Sequence, residues 1–232
     1  MKIPILLPNI FNYPFTYESK INLKIGDYVV VPFGKSKITG VVWDSFENQT
    51  DKKFSIKKVI EKLEVPPLSK NIIKFLNWFS EYNMVPKGMA LKLLLLSNDA
   101  VRELPEKSYE KFKFKEKKNR FKLTIDQKKS LVKMNEINKR FRVHVLQGTT
   151  GSGKTIVYFE ALKKLINEGY QGLIMLPEIG LTSQFEKKFY EYFSFWPAIW
   201  HSGISKKKKE VIWRGTTNGK IKIVIGARSS LF

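Results

Sequence analysis

The chain has 232 residues, 43% of them hydrophobic and 13% aromatic. That is enough apolar surface for one large domain or two modest ones, and it excludes global disorder. There is no cysteine, which excludes disulfides and thiolate zinc sites and fits a reducing compartment, the cytoplasm. No apolar run approaches the roughly 18 residues of a membrane span. The net charge of +21 suits a polyanionic partner whose counterions the lysines displace, although a lysine-rich solvated surface gives the same charge with no partner at all.

In chain order, the first hundred residues read as β-rich and then helical. Gly26–Gly34 and Ile38–Trp43 predict two strands around a polar turn at Lys35, Ser36 and Lys37. Phe54–Ile60 reads as another strand, ended by Pro66 and Pro67. Ser69 suits the N-cap of a helix over Lys70–Tyr82, with Ile72, Ile73, Phe75, Leu76 and Phe79 at helical spacing and most of them expected in the core. Residues 99–120 are charged and aperiodic and read as a linker, within which Lys111–Lys115 alternates like a short strand.

From Phe121 the pattern changes. A helix over Asp126–Asn138 precedes a strand over 141–146 and a helix over 155–167. Strand Gln171–Leu176, helix Leu181–Phe193 and strands Pro197–Trp200 and Ile221–Ile225 follow. Alternating strands and helices predict a parallel sheet covered on both faces.

Between strand 141–146 and the next helix lies Gly148-Thr149-Thr150-Gly151-Ser152-Gly153-Lys154-Thr155, which has the form of a phosphate-binding loop, G-x-x-x-x-G-K-[ST]. Its glycines admit backbone conformations closed to other residues. Its N–H groups can then surround phosphate oxygens at the positive end of a helix dipole. Lys154, the candidate catalytic residue, reaches the β- and γ-phosphates of ATP, and Thr155 is the candidate Mg²⁺ ligand. Two later loops end strands where open α/β sheets bind ligands. Pro177–Thr182 offers Thr182, and Gly226–Ser230 offers Arg228 and Ser229 to a phosphate backbone. Taken singly, each is as well read as a strand cap. His201 reads as structural and Lys206–Lys209 as a solvated face.

The order of these motifs resembles the first motor lobe of the primosomal protein N′ (PriA) family, superfamily-2 DNA helicases that restart stalled replication forks. Leu123-Thr124-Ile125-Asp126-Gln127 resembles the family element whose glutamine contacts adenine. Pro14–Tyr17, Val29–Gly34 and Gly40–Val42 resemble its domain for a DNA 3′ end. The resemblance implies a small β-rich DNA-binding domain over 1–98, a charged linker over 99–120 and a RecA-like P-loop lobe over 121–232, an α/β fold. It implies that Phe15, Thr16, Gly34 and Lys57 line a 3′-nucleotide pocket. It also implies ATP and Mg²⁺ as cofactors, DNA forks, single strands and 3′ ends as partners, and single-strand-binding protein and primosome proteins beside them. Thr16 stands where the family usually has aspartate, which weakens any bond to a 3′-hydroxyl. A winged-helix domain common in the family has no counterpart between residues 98 and 121. The family's Asp-Glu-Glu-His box, zinc-binding cysteines and second lobe are expected beyond Phe232. The expected function is ATP-driven 3′→5′ unwinding by the full-length protein, with this chain alone inactive. The alternative is a non-catalytic fork-binding fragment that holds nucleotide without hydrolysing it. A small P-loop kinase would need a further acidic motif ending an apolar strand, and Glu210 does not supply one.

Overall fold

The computed structural model describes residues 1–46, 55–95, 104–114, 121–135, 141–177 and 183–231. They fall into two compact units, one of Met1–Pro105 with Ile204–Asn218, the other of Glu106–Gly203 with Gly219–Leu231.

The first unit is built on five antiparallel strands, β1 (Lys2–Leu6), β2 (Phe15–Glu18), β3 (Tyr28–Phe33), β4 (Ser36–Val42) and β5 (Glu61–Lys62), in the order β2-β1-β4-β3-β5. Period-two alternation divides its side chains between two faces. Ile3, Ile5, Leu7, Tyr17, Val29, Val31 and Val42 form one core. Leu6, Tyr28, Val41 and Trp43 point the other way, into a second core with helices α1 (Lys70–Tyr82) and α2 (Lys87–Leu94). Burial pushes the Tyr17 phenol up to about 12, and its hydroxyl donates to the Pro32 carbonyl at 3.1 Å.

The strand expected over Phe54–Ile60 is replaced by something more useful, with Phe54 itself outside the described residues. The Glu18 N–H donates to the Lys57 carbonyl and the Val59 N–H to the Glu18 carbonyl, each at 2.9 Å. One residue on, the Ile60 N–H donates to Val30, also at 2.9 Å, and β5 pairs with β3. One short segment therefore bonds to β2 at one edge of the sheet and to β3 at the other, closing the sheet on itself. Buried Asp27 fixes the same seam, accepting from the Lys24 N–H and the Lys62 ammonium, each at 2.8 Å.

The first unit also takes a helix from far along the chain. Helix α6 (Lys206–Thr217), named here ahead of α3–α5, lies inside the 121–232 stretch. Its lysine run, expected as a solvated face, is the exposed start of this helix. Ser205 caps it, and its C-terminal half is buried. Trp213 joins the core beside Tyr28, ring centroids 6.0 Å apart, and its indole N–H donates to the Leu94 carbonyl at 2.9 Å. Arg214 donates to the Glu64 carbonyl at 2.9 Å.

The second unit has three parallel strands, β6 (Gly172–Met175), β7 (Ala198–Trp200) and β8 (Ile223–Gly226), in the order β6-β8-β7. Helices α3 (Ile125–Asn135), α4 (Lys154–Asn167) and α5 (Ser183–Phe193) accompany them. Its core gathers Phe159, Phe189, Tyr192, Phe193 and Phe195 around Ile174, Ile223 and Ile225. Residues 106–112, inside the expected linker, form a 3₁₀ turn with Tyr109 and Phe112 buried, and residues 111–114 form no strand, Lys115 lying outside the described residues. Lys220 donates to the Glu106 carboxylate, which holds that carboxyl below its ordinary range.

The strand expected over 141–146 does not form. Phe141, Val143 and Val145 are 92%, 75% and 89% exposed, and none of β6–β8 pairs with them. β propensity describes how a side chain suits a pleated, half-buried surface, and no described strand pairs with this segment.

Trp213 supports a clear expectation. Replacing a buried Trp by Ala costs about 3–5 kcal/mol, so Trp213→Ala should strongly lower the urea midpoint of the first unit. Trp213→Phe should lose about 1 kcal/mol, the share of the indole hydrogen bond.

Candidate functional site

In the second unit the phosphate-loop residues come together at the start of α4. Gly151 and Gly153 have φ of +85° and +81°, the left-handed region. Gly153 is the N-cap of α4 and makes no side-chain cap bond, so the first helical N–H groups have no side chain across them. The glycines also leave room for neighbouring side chains, which a Cβ would displace. A Cβ at Gly153 would lie 2.4 Å from the Gln127 amide nitrogen, and one at Gly148 would lie 2.8 Å from the Ser152 hydroxyl.

The Lys154 ammonium donates to the carbonyls of Gly148 and Thr149 at 2.5 and 2.7 Å. It therefore folds back over the loop that leads into its own helix. The Ser152 hydroxyl donates to the Thr149 carbonyl at 2.8 Å, drawing the loop tight. Thr155 is hydrogen-bonded to Tyr158, one helical turn on. Burial pushes the Tyr158 phenol above its ordinary value, and this bond partly offsets the rise.

Gln127 is held beside the loop by local chemistry. The Gln127 N–H donates to the Thr124 hydroxyl at 3.3 Å, and the Thr124 N–H donates to the Gln127 side-chain oxygen at 2.9 Å. This reciprocal pair is a capping box at the start of α3. The free end of the same amide donates to the Ser152 carbonyl at 3.1 Å. The capping box thus fixes where Gln127 sits, and the loop accepts its remaining arm.

The parallel sheet sets the direction of the rest. All three strands end on one edge, which carries Pro177, His201 and Arg228. Leu162 of α4 lies against Gly172 at the start of β6. The eight residues back to Lys154 rise about 12 Å, close to the length of β6, so the loop lies toward that same edge. Arg228 and Ser229 are exposed on a short 3₁₀ turn after β8. Thr182 lies outside the described residues. His201 accepts from the Gly203 N–H at 3.2 Å through Nδ1, a local turn. Among the described residues no group of three or more His, Asp or Glu side chains could hold a metal ion.

In the first unit Phe15, Gly34 and Lys57 also meet. Phe15 is half-buried in a cluster with Phe11, Tyr13 and Phe33, each centroid 5.3 Å from its own. Gly34 follows Phe33 at φ +59°, and a Cβ there would meet nothing within 4 Å, so open space lies before it. The Lys57 ammonium reaches the Gly34 carbonyl at 3.5 Å. Thr16 is half-buried opposite Pro4 in the sheet. Sequence reasoning missed Phe11, Tyr13 and Phe33. The spacing of Phe11, Tyr13 and Phe15, every second residue, was the signal that could have found two of them.

Both halves of the chain match known families. Residues 3–95 match the family described as the PriA 3′ DNA-binding domain (3′BD), and residues 124–232 match DEAD/DEAH box helicase. The replication restart protein PriA of Rickettsia conorii is 38% identical over 235 residues, 98% of this chain. The chain belongs to the PriA family. PriA of Rickettsia typhi is 38% identical over 233 residues, and PriA of Bacillus subtilis is 37% identical over 91 residues, 39% of this chain. The chain spans 34% of the length of the Rickettsia relatives and 11% of the Bacillus one. The fold is that of an antiparallel-sheet DNA-binding domain followed by a helicase domain with a parallel sheet and helices.

The loop geometry yields a stability test. Gly153→Ala meets left-handed strain of about 1–2 kcal/mol and displaces the Gln127 amide. Urea unfolding should show a loss of that size. The strain belongs to the backbone, so Gly153→Ala with Gln127→Ala should not recover it.

Proposed function

We propose that the whole protein is an ATP-driven 3′→5′ DNA helicase acting at replication forks, and that this chain carries its nucleotide loop and its DNA-end pocket. The observation that carries the nucleotide half is the start of α4, with two left-handed glycines, a helix N-terminus without a side-chain cap and Lys154 folded over the loop. The residues fit a nucleoside triphosphate with Mg²⁺. The N–H groups of Gly148, Thr149, Thr150, Gly151, Ser152, Gly153 and Lys154 would surround its phosphates. Thr155, oriented by Tyr158, would hold the metal, and Gln127 would face the adenine. Bound Mg²⁺ neutralises phosphate charge during transfer.

The chain's own residues supply position and charge. Lys154 exchanges two carbonyl acceptors for phosphate oxygens, a stronger charge-assisted contact. Gln127 keeps its capping-box bond while its amide turns toward the base. Arg228 and Ser229 would meet a DNA backbone along the strand-end edge, the role the sequence also assigns to Thr182.

The DNA half rests on Phe15, Gly34 and Lys57. A terminal base would stack on Phe15, worth about 1–3 kcal/mol and indifferent to base identity. The sugar would lie in the open space before Gly34, and Lys57 would meet the adjacent phosphate. Thr16 would bond a 3′-hydroxyl as one neutral group to another, roughly half as strongly as a carboxylate. Single-strand-binding protein and primosome proteins are the partners this role would bring, in the cytoplasm. No helix among the described residues is long and apolar enough to cross a membrane.

A second reading, nucleotide binding without turnover, applies to the 232-residue polypeptide itself. No Asp-Glu pair ends an apolar strand after the loop, and positioning with charge neutralisation supplies nearly all phosphoryl-transfer catalysis. Calorimetric titration should therefore find MgATP binding, weakened about tenfold to a hundredfold by Lys154→Ala through loss of one charged contact. Brisk DNA-stimulated hydrolysis by the same polypeptide would contradict the second reading, and binding untouched by Lys154→Ala would contradict the loop assignment.

A further inference from the structure

Helix α1 buries Ile73, Leu76 and Ser80. A surface helix ordinarily turns polar residues to solvent on its opposite side. Here that side carries Trp78 and Tyr82, 53% and 72% exposed. Their rings are stacked, centroids 5.1 Å apart and planes 21° from parallel. Phe75 adjoins them, 6.0 Å from Trp78. The i, i+4 rule places Lys70, Lys74, Trp78 and Tyr82 in a single row, and both lysines are exposed. Two ammoniums and two stacked rings thus share a line about 18 Å long.

The row leads toward the aromatic cluster. The loop that carries Phe11 and Tyr13 is bonded to the segment after α1. The Gly88 N–H donates to the Phe11 carbonyl, and the Lys87 N–H donates to the Asn12 side chain, each at 3.0 Å. Between them lies a cleft of about 410 Å³ lined by Asn12 from the loop, by Glu81 of α1, and by Met84 and Lys87 from the chain that follows it into α2. The cleft thus has Glu81, next in sequence to Tyr82, on one wall and Asn12, between Phe11 and Tyr13, on the other.

We propose that the row Lys70–Lys74–Trp78–Tyr82 is a second contact for single-stranded DNA, taking bases on its rings and phosphates on its lysines. The proposal rests on the DNA-binding reading above and extends it from a terminal nucleotide to the strand behind it. Aromatic faces accept any base, and lysines match the backbone charge, which is the combination that sequence-tolerant single-strand binding uses.

The test is fluorescence anisotropy with the full chain and labelled oligodeoxythymidylates of about 4 and about 15 nucleotides, the shorter near the smallest single-strand site sizes. Trp78→Ala with Tyr82→Ala should weaken the longer oligonucleotide about fivefold or more and leave the shorter unchanged. Trp78→Phe with Tyr82→Phe should restore binding. Lys70→Gln with Lys74→Gln should reduce the slope of log K against log salt by about 1.4. Phe15→Ala should weaken both lengths. If it does not while the ring variant still loses the longer strand, the end pocket fails and the row stands. Unchanged affinity of the alanine double variant for the longer strand overturns the proposal. So does equal loss on both lengths, which would place the effect on the end pocket. Sedimentation velocity covers the remaining occupant: a parent self-association abolished by the alanine pair would assign the row to a second copy and overturn it.

Discussion

The DNA-binding unit depends on the closure of its sheet. Residues 57–62 hydrogen-bond to β2 through Glu18 and to β3 through Val30. An open sheet would leave both edges as unpaired templates for aggregation. Closure removes much of that exposure and has a positional result. It delivers Lys57 to the Gly34 carbonyl, at the tip of the β3–β4 hairpin and next to the rings around Phe15. Three residues separated by 42 positions of sequence meet because one short segment belongs to two edges.

The other core of this unit depends on α6. Trp213 sits with Leu6, Tyr28, Val41 and Trp43, and its indole nitrogen is satisfied by the Leu94 carbonyl. The family match over 124–232 includes this helix, yet its burial belongs with the sheet of residues 1–62. A chain cut near residue 105 would lose a core residue along with the helicase sequence. The DNA-end reading should accordingly be tested on the whole polypeptide.

Much of this was legible in the sequence where the determinants are local. The loop at 148–155 announces itself, since its glycines, lysine and threonine occupy fixed positions. Thr124 and Gln127 announce a helix start, three residues apart. Ser69 capped α1 as expected, accepting from the Ile72 N–H. Long-range determinants were not legible. Nothing in Phe141–Leu146 shows that its β-prone residues lack a pairing strand among the described residues. Nothing in Lys206–Lys209 shows that Trp213, four residues beyond, is buried in a distant core. The apolar spacing of α1 found its buried face but gave no reason to expect stacked rings on the other.

The central claim is that the closed sheet presents Phe15, Gly34 and Lys57 to the end of a DNA strand. The most direct measurement compares the affinity of the whole chain for linear and circular single strands of equal length and sequence. The account predicts tighter binding of the linear strand, by the roughly 1–3 kcal/mol of one stacked base, with Phe15→Ala erasing the difference. Equal affinity for both forms, or a preference that survives Phe15→Ala, would contradict it.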